Sequence, residues 1–347
     1  MNILLTGGAG YVGSHTAVEL MQAGHTVCVL DNLCNSDKSV LERVAAITGK
    51  LPIFVQADVR DTRAVADALH RNQSQAVIHF AGLKAVGESV SEPLNYYANN
   101  VQGTLSLLTA MQEASVHTLV FSSSATVYGD PQYLPLDEQH PTSATSPYGR
   151  TKLHIEEILC DLALATPAWR IACLRYFNPA GAHDSGLIGE SPRGMPNNLM
   201  PYINQVACGQ TPRLNVYGAD YGTPDGTGIR DYIHVMDLAA GHLAALEFLQ
   251  HHTGNHVFNL GTGRGYSVFE VISAFEAASY QTVPYQVAPR RTGDVACSYA
   301  NPAKAQAALG WRAERSLKDM CASAWRYQSR VSKSTLVHHS FAHGISK

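Results

Sequence analysis

Short apolar runs alternate with longer amphipathic stretches through the first half of the chain. Residues 2–6 read as a buried strand, and 12–23 carry the apolar spacing of a helix. A second run, 26–31, ends on Asp31, and 52–55 and 76–80 are two further strands. A helix is expected over 95–114, a fifth strand over 117–121, a helix over 147–165 and a sixth strand over 171–175. Such alternation predicts an α/β fold, a Rossmann-type doubly wound parallel sheet with helices on both faces.

The pattern changes after about residue 176. Gly and Pro become frequent, as in Ser191-Pro192-Arg193-Gly194 and Gly222-Thr223-Pro224-Asp225-Gly226, while helical spacing persists near 197–208, 235–250 and 267–279. We therefore expect a Rossmann domain over 1–175 and a smaller C-terminal α/β domain over 176–330. Some segments of the second are expected to return to the first sheet. Residues 331–347, rich in Ser, Lys and His, are expected to form a solvated, poorly ordered tail.

A length of 347 residues accommodates two domains, and 45% hydrophobic residues is ordinary for a globular protein. The net charge of -3 gives no electrostatic footprint for nucleic acid or an anionic membrane, so any anionic ligand must be held by local groups. No run approaches the ~18 apolar residues of a membrane span. The start lacks the basic segment of a signal peptide. Seven cysteines form no CxxC pair and several sit in apolar runs, which predicts reduced thiols in a cytoplasmic protein. The sixteen histidines are scattered without an HExxH, and His338, His339 and His343 fall in the tail; no metal site is expected.

Candidate chemistry begins at Thr6-Gly7-Gly8-Ala9-Gly10-Tyr11-Val12-Gly13, between the first strand and its helix. Gly7, Gly10 and Gly13 allow a tight turn and close approach of a pyrophosphate to a helix N-terminus. Asp31, at the end of the second strand, can accept from ribose hydroxyls and repel a 2′-phosphate, which favours NAD over NADP. Asp58 can face an adenine edge or serve as a turn residue in Asp58-Val59-Arg60-Asp61; spacing does not separate the two. Tyr148 and Lys152 share one helix face. A tyrosine titrates near ~10, so an adjacent ammonium and a positive nicotinamide ring would lower it toward a usable base. An exposed pair at this spacing is common in helices. Phe121-Ser122-Ser123-Ser124, at the end of the fifth strand, makes the catalytic reading the better one, because strand ends of an open sheet carry the ligand. Arginine suits phosphate, which makes Arg230 and Arg291 candidates for a nucleotide diphosphate.

Long stretches resemble the extended short-chain dehydrogenase/reductases that act on nucleotide sugars. They are 6–15, 30–36, 79–89, 122–129, 175–179, 196–202 and 228–237, and the likeness runs from residue 2 to about 328. The resemblance implies a C4 epimerisation of a UDP-hexose. Tyr148 would take the proton of the sugar 4-hydroxyl while hydride passes from C4 to NAD, with Ser124 assisting. The 4-keto sugar would turn and receive the hydride on its other face, so NAD is retained. The NAD site implied comprises Gly7, Gly10, Tyr11, Val12, Gly13, Asp31, Asn32, Asn35, Ser36, Asp58, Val59, Phe80, Ala81, Gly82, Lys84, Asn99, Ser122, Ser124, Tyr148, Lys152 and Phe177. Lys84, Ser124 and Tyr148 would also touch substrate, together with Asn178, Asn198, Leu199, Asn215, Val216, Tyr217, Arg230, Arg291, Asp294 and Ser298. At Ser298 some members carry a tyrosine. The small side chain implies room for an N-acetyl group on the sugar. The resemblance also implies a homodimer formed through helices 95–114 and 147–165.

Rival readings remain. A 4,6-dehydratase needs an acid and a base beside its serine or threonine, and Ser123-Ser124-Ala125-Thr126 lacks a carboxylate. A UDP-hexuronate 4-epimerase is closer. A non-catalytic NAD sensor would be expected to lose the tyrosine.

Overall fold

A computed structural model describes residues 1–342 except Arg193, Met195 and Thr292, with side chains described as far as Ser332. The first half runs β1 (Asn2–Thr6), α1 (Tyr11–Gln22), β2 (Thr26–Asp31), α2 (Ser39–Thr48), β3 (Ile53–Gln56), α3 (Thr62–Arg71), β4 (Ala76–His79), α4 (Val86–Ser91), α5 (Pro93–Tyr96), α6 (Gln102–Glu113), β5 (Thr118–Ser124), α7 (Pro147–Ala165) and β6 (Arg170–Tyr176). The second runs β7 (Asn178–Ala180), α8 (Leu199–Ala207), β8 (Leu214–Tyr217), β9 (Ile229–His234), α9 (Val235–Leu249), β10 (Gly254–Leu260), β11 (Gly265–Ser267), α10 (Val268–Ser279), β12 (Tyr285–Ala288), β13 (Cys297–Ser298), α11 (Ala303–Leu309) and α12 (Leu317–Ala342).

Seven strands form one parallel sheet in the order β3-β2-β1-β4-β5-β6-β10. Winding proceeds outward from β1 in one direction and from β4 in the other. The crevice between them is where such sheets bind ligands. Two apolar clusters cover its faces. Leu5, Val29, Leu174 and Leu246 belong to one, and Leu4, Leu107, Leu119 and Ile155 to the other. This is why β1, β4 and β6 read as continuous apolar runs. β10 comes from the second half of the chain and pairs with β6 along its whole length. The remaining strands make smaller units, β11-β9-β13 with β7 beside β9, and β12-β8. Among the described residues no helix is long and apolar enough to cross a membrane. Among the described residues no cysteine is in a disulfide.

Three expectations change. The helix expected over 95–114 is α5 and α6 joined by one π turn at Tyr97–Val101. The fifth strand extends through Ser124, so the three serines lie within it, carried by parallel pairing to β6 as far as Ser124–Tyr176. The backbone expected to be an irregular tail from 331 continues α12 to Ala342, a stretch with no Gly or Pro to stop it. His343 and the rest of the tail lie outside the described residues.

Candidate active site

The glycine loop closes by backbone contact. Gly7 sits at φ +70°, and a Cβ there would stand 2.6 Å from the Ala81 nitrogen. A Cβ on Gly13 would stand 2.6 Å from the Gly7 carbonyl oxygen. Gly10 is the N-cap of α1 and brings no side-chain cap, which suits an anion at the helix start. The buried Asp31 carboxylate accepts from Ala9 N (3.0 Å), Leu33 N (2.9 Å) and Ser36 Oγ (2.9 Å). It therefore ties the glycine loop to the end of β2, beyond the ribose contact read from the sequence. Asp58 accepts from Asn32 Nδ2 at 3.1 Å and pairs with Arg60 at 2.8 Å, whose hydrogen bond holds it well below the usual carboxylate range. Asn35 is exposed nearby. The Val59 side chain packs in the core, so Val59 can offer a ligand only its backbone. An uncapped helix start, a glycine cradle and a carboxylate after β2 together fit an NAD-type dinucleotide.

The next strand ends carry the reactive groups. Ser146 caps α7 by accepting from Gly149 N at 3.1 Å, and Pro147 opens its first turn. Tyr148 is therefore held in that turn. A Cβ on Gly149 would meet the Thr126 carbonyl at 2.9 Å, so only glycine lets α7 approach the turn that follows Ser124 this closely. Ser124 Oγ accepts from Thr126 Oγ1 (3.0 Å), and its hydroxyl favours the anionic form of Tyr148. Lys152 Nζ donates to the Ser122 carbonyl at 2.6 Å and lies 4.8 Å from the Phe121 ring centroid. Its ammonium is pushed down to about 8 by burial, with Glu156 opposing. In the chain by itself burial pushes the Tyr148 phenol up and the Ser124 hydroxyl opposes; the lowering expected from the sequence also drew on a positive nicotinamide ring beside it. Gly82 lies beside Lys152, and Phe80 packs on His242. Asn99 is half-buried in the π turn, and Phe177 is buried after β6.

The second half supplies the other wall. Pairing sets Asn178 against Tyr232 and Ser298 against Arg230. Arg230 faces Asp294 at 3.8 Å and donates to the Ile229 carbonyl at 2.9 Å. The Arg291 guanidinium stacks 3.9 Å from the Tyr217 ring centroid. Asn215 accepts from Gln286 at 2.7 Å, and the neighbouring Val216 side chain is buried in the core, which leaves its backbone for a ligand. Leu199 packs against the same cluster. Tyr11 donates to the Gly181 carbonyl at 2.7 Å, and Val12 packs on the sheet.

Several neighbours escaped the sequence reading. Glu156 accepts from Ser123 Oγ at 2.5 Å and pairs with Arg175 at 2.6 Å, both buried. It stands four residues after Lys152, a spacing that would have revealed it. Tyr176 is hydrogen-bonded to His242, which burial keeps near about 4 and hence neutral. Glu190 accepts from both Lys84 and Asn198. A lone glutamate in a loop carries no local signal.

Residues 3–261 match the model of the NAD dependent epimerase/dehydratase family. The UDP-glucose 4-epimerase of Bacillus subtilis (strain 168) is 57% identical over 329 residues, 95% of this chain and 97% of that protein. The structure of UDP-glucose-4-epimerase from Stenotrophomonas maltophila, with bound NAD and formylated UDP-arabinopyranose, superposes with a TM-score of 0.94. It is 53% identical and covers 96% of this chain and 99% of that one. The Bifidobacterium longum enzyme, in complex with NAD+ and UDP, gives 0.93 at 51% identity, covering 95% and 98%.

Proposed function

The chain belongs to the NAD dependent epimerase/dehydratase family, and from that premise we propose that it inverts C4 of UDP-hexoses, interconverting UDP-glucose and UDP-galactose. The observation that carries this reading is the grouping of Ser124, Tyr148 and Lys152 at the ends of β5 and α7, next to the glycine loop. NAD, when bound, supplies the acceptor and donor of hydride. Tyr148 takes the proton of the sugar 4-hydroxyl and returns it after the ring has turned. Its phenol must reach the anionic state against burial. The Ser124 hydroxyl and the partial positive charge of the α7 N-terminus both favour that state. Lys152, anchored on the Ser122 carbonyl, orients the cofactor ribose. Arg230 and Arg291 bind the diphosphate. Asp31 accepts from the adenosine ribose and excludes a 2′-phosphate. A half-buried serine at 298 leaves space for a sugar N-acetyl group, so we extend the reading to UDP-N-acetylglucosamine.

Incubation with UDP-galactose, without added NAD, should yield UDP-glucose. A Tyr148→Phe variant should retain NAD and lose on the order of 10²-fold or more in turnover. Ser298→Tyr should lose the N-acetyl substrate and keep UDP-galactose. No product from protein that contains NAD would refute the reading.

The protein works in the cytoplasm, in keeping with seven cysteines of which none is in a disulfide among the described residues, and as a homodimer. Support for the dimer is apolar surface on the helices flanking the site: Leu94 on α5 is 83% exposed and Leu164 on α7 is 77% exposed.

A further inference from the structure

Glu190 sets an anion between Lys84 and Asn198, two residues that the proposed function places against the substrate. Its Oε1 accepts from Lys84 Nζ at 3.0 Å and from Asn198 Nδ2 at 2.7 Å, and its side chain is only 11% exposed. Lys84 follows β4 and Asn198 stands just before α8 with its side chain on Glu190 and not on the helix, so one carboxylate oxygen joins the two halves of the chain. Its charge reaches further. It adds to burial in pushing the Tyr11 phenol up. Among the described residues Lys84 is the cation that meets Glu190, and its ammonium is already paired there. On the opposite wall Arg230 faces Asp294 and Arg291 stacks on Tyr217.

Size alone separates a hexose poorly from the matching hexuronate, because the hydroxymethyl and carboxylate groups at C6 are close in volume. Charge separates them well. A uronate would bring a second carboxylate toward Glu190 and find Lys84 already paired. Like charges in a partly desolvated pocket repel strongly, and discrimination by repulsion needs no added contact to the accepted ligand.

We infer that Glu190 is a specificity determinant that rejects UDP-hexuronates while holding Lys84 and Asn198 in place for neutral hexoses. The inference rests on the UDP-hexose reading of the site. In NAD-loaded protein, kcat/KM is measured for UDP-galactose and UDP-galacturonate in the wild type, Glu190→Gln and Glu190→Ala. The amide keeps the acceptor oxygen and removes the charge. The ratio of galacturonate to galactose should rise about tenfold or more in both variants, mainly through KM. A residue that only positions Lys84 and Asn198 would lower both substrates together. An unchanged ratio overturns the inference. Calorimetric binding of the same two sugars gives that ratio without turnover. A wild type inactive on UDP-galactose would thus sink the activity reading alone, whereas an unchanged binding ratio would sink the role of Glu190.

Discussion

Lys152 shows how burial and function pull on one side chain. Its ammonium has left water for the Ser122 carbonyl and the Phe121 ring, and burial pushes it down from 10.5 to about 8. The consequence for stability has a definite sign. Between these values the unfolded lysine still binds a proton that the folded one has released. The unfolded state therefore holds more protons, and stability rises with pH across that window. Lys152→Met should abolish this contribution. Denaturant unfolding of wild type and variant at either end of the window measures it. An identical rise in the variant would show that another group is responsible. Tyr148 obeys the same physics in the opposite direction, since burial favours the neutral phenol. Its spacing from Lys152 suggested a direct effect of one charge on the other. In the folded chain the Ser124 hydroxyl is what opposes burial at the phenol.

At the scale of elements, the site depends on helices meeting strands by their backbones. β1, α1 and β4 converge through Gly7 and Gly13, where added methyl groups would strike backbone atoms at 2.6 Å. Backbone cannot step aside as a flexible side chain can. Gly13→Ala should cost about 1–3 kcal/mol of stability through overpacking and release NAD on gel filtration. Retention of NAD with unchanged melting would contradict this account of the loop. α7 uses the same device at Gly149, and its Ser146 cap sets where Tyr148 begins the helix. The glycine pattern was legible because it is local and lies between a strand and a helix. The π turn at Tyr97–Val101 was not. Its sequence keeps helical spacing, and only packing beside α5 and α7 selects the wider turn.

For the whole molecule, one crevice is assembled from both halves of the chain. β10 completes the large sheet, while β7, β9 and β13 bring Asn178, Arg230 and Ser298 to its rim. On the outer side, α4, α5 and α7 pack together and leave Val90, Leu94 and Leu164 exposed. If these helices form the dimer contact, sedimentation velocity should give a dimer for the wild type and a monomer for Leu94→Glu/Leu164→Glu. A wild-type monomer at micromolar concentration would refute it.

The sequence by itself determined what is set by neighbours along the chain. Strand and helix periods, the glycine loop, Asp31 at a strand end and the Tyr148–Lys152 spacing all lie within a few residues of their structural cause. The tertiary structure alone decided what depends on distant pieces meeting in a dry interior. Glu190 finds Lys84 and Asn198 only because loops 106 and 8 residues away converge on it. The Val59 side chain, in the turn after β3, packs into the core, and Val216 does so from the inward face of β8. The upward push of burial on the Tyr148 phenol is likewise a property of the folded whole that no spacing of residues encodes.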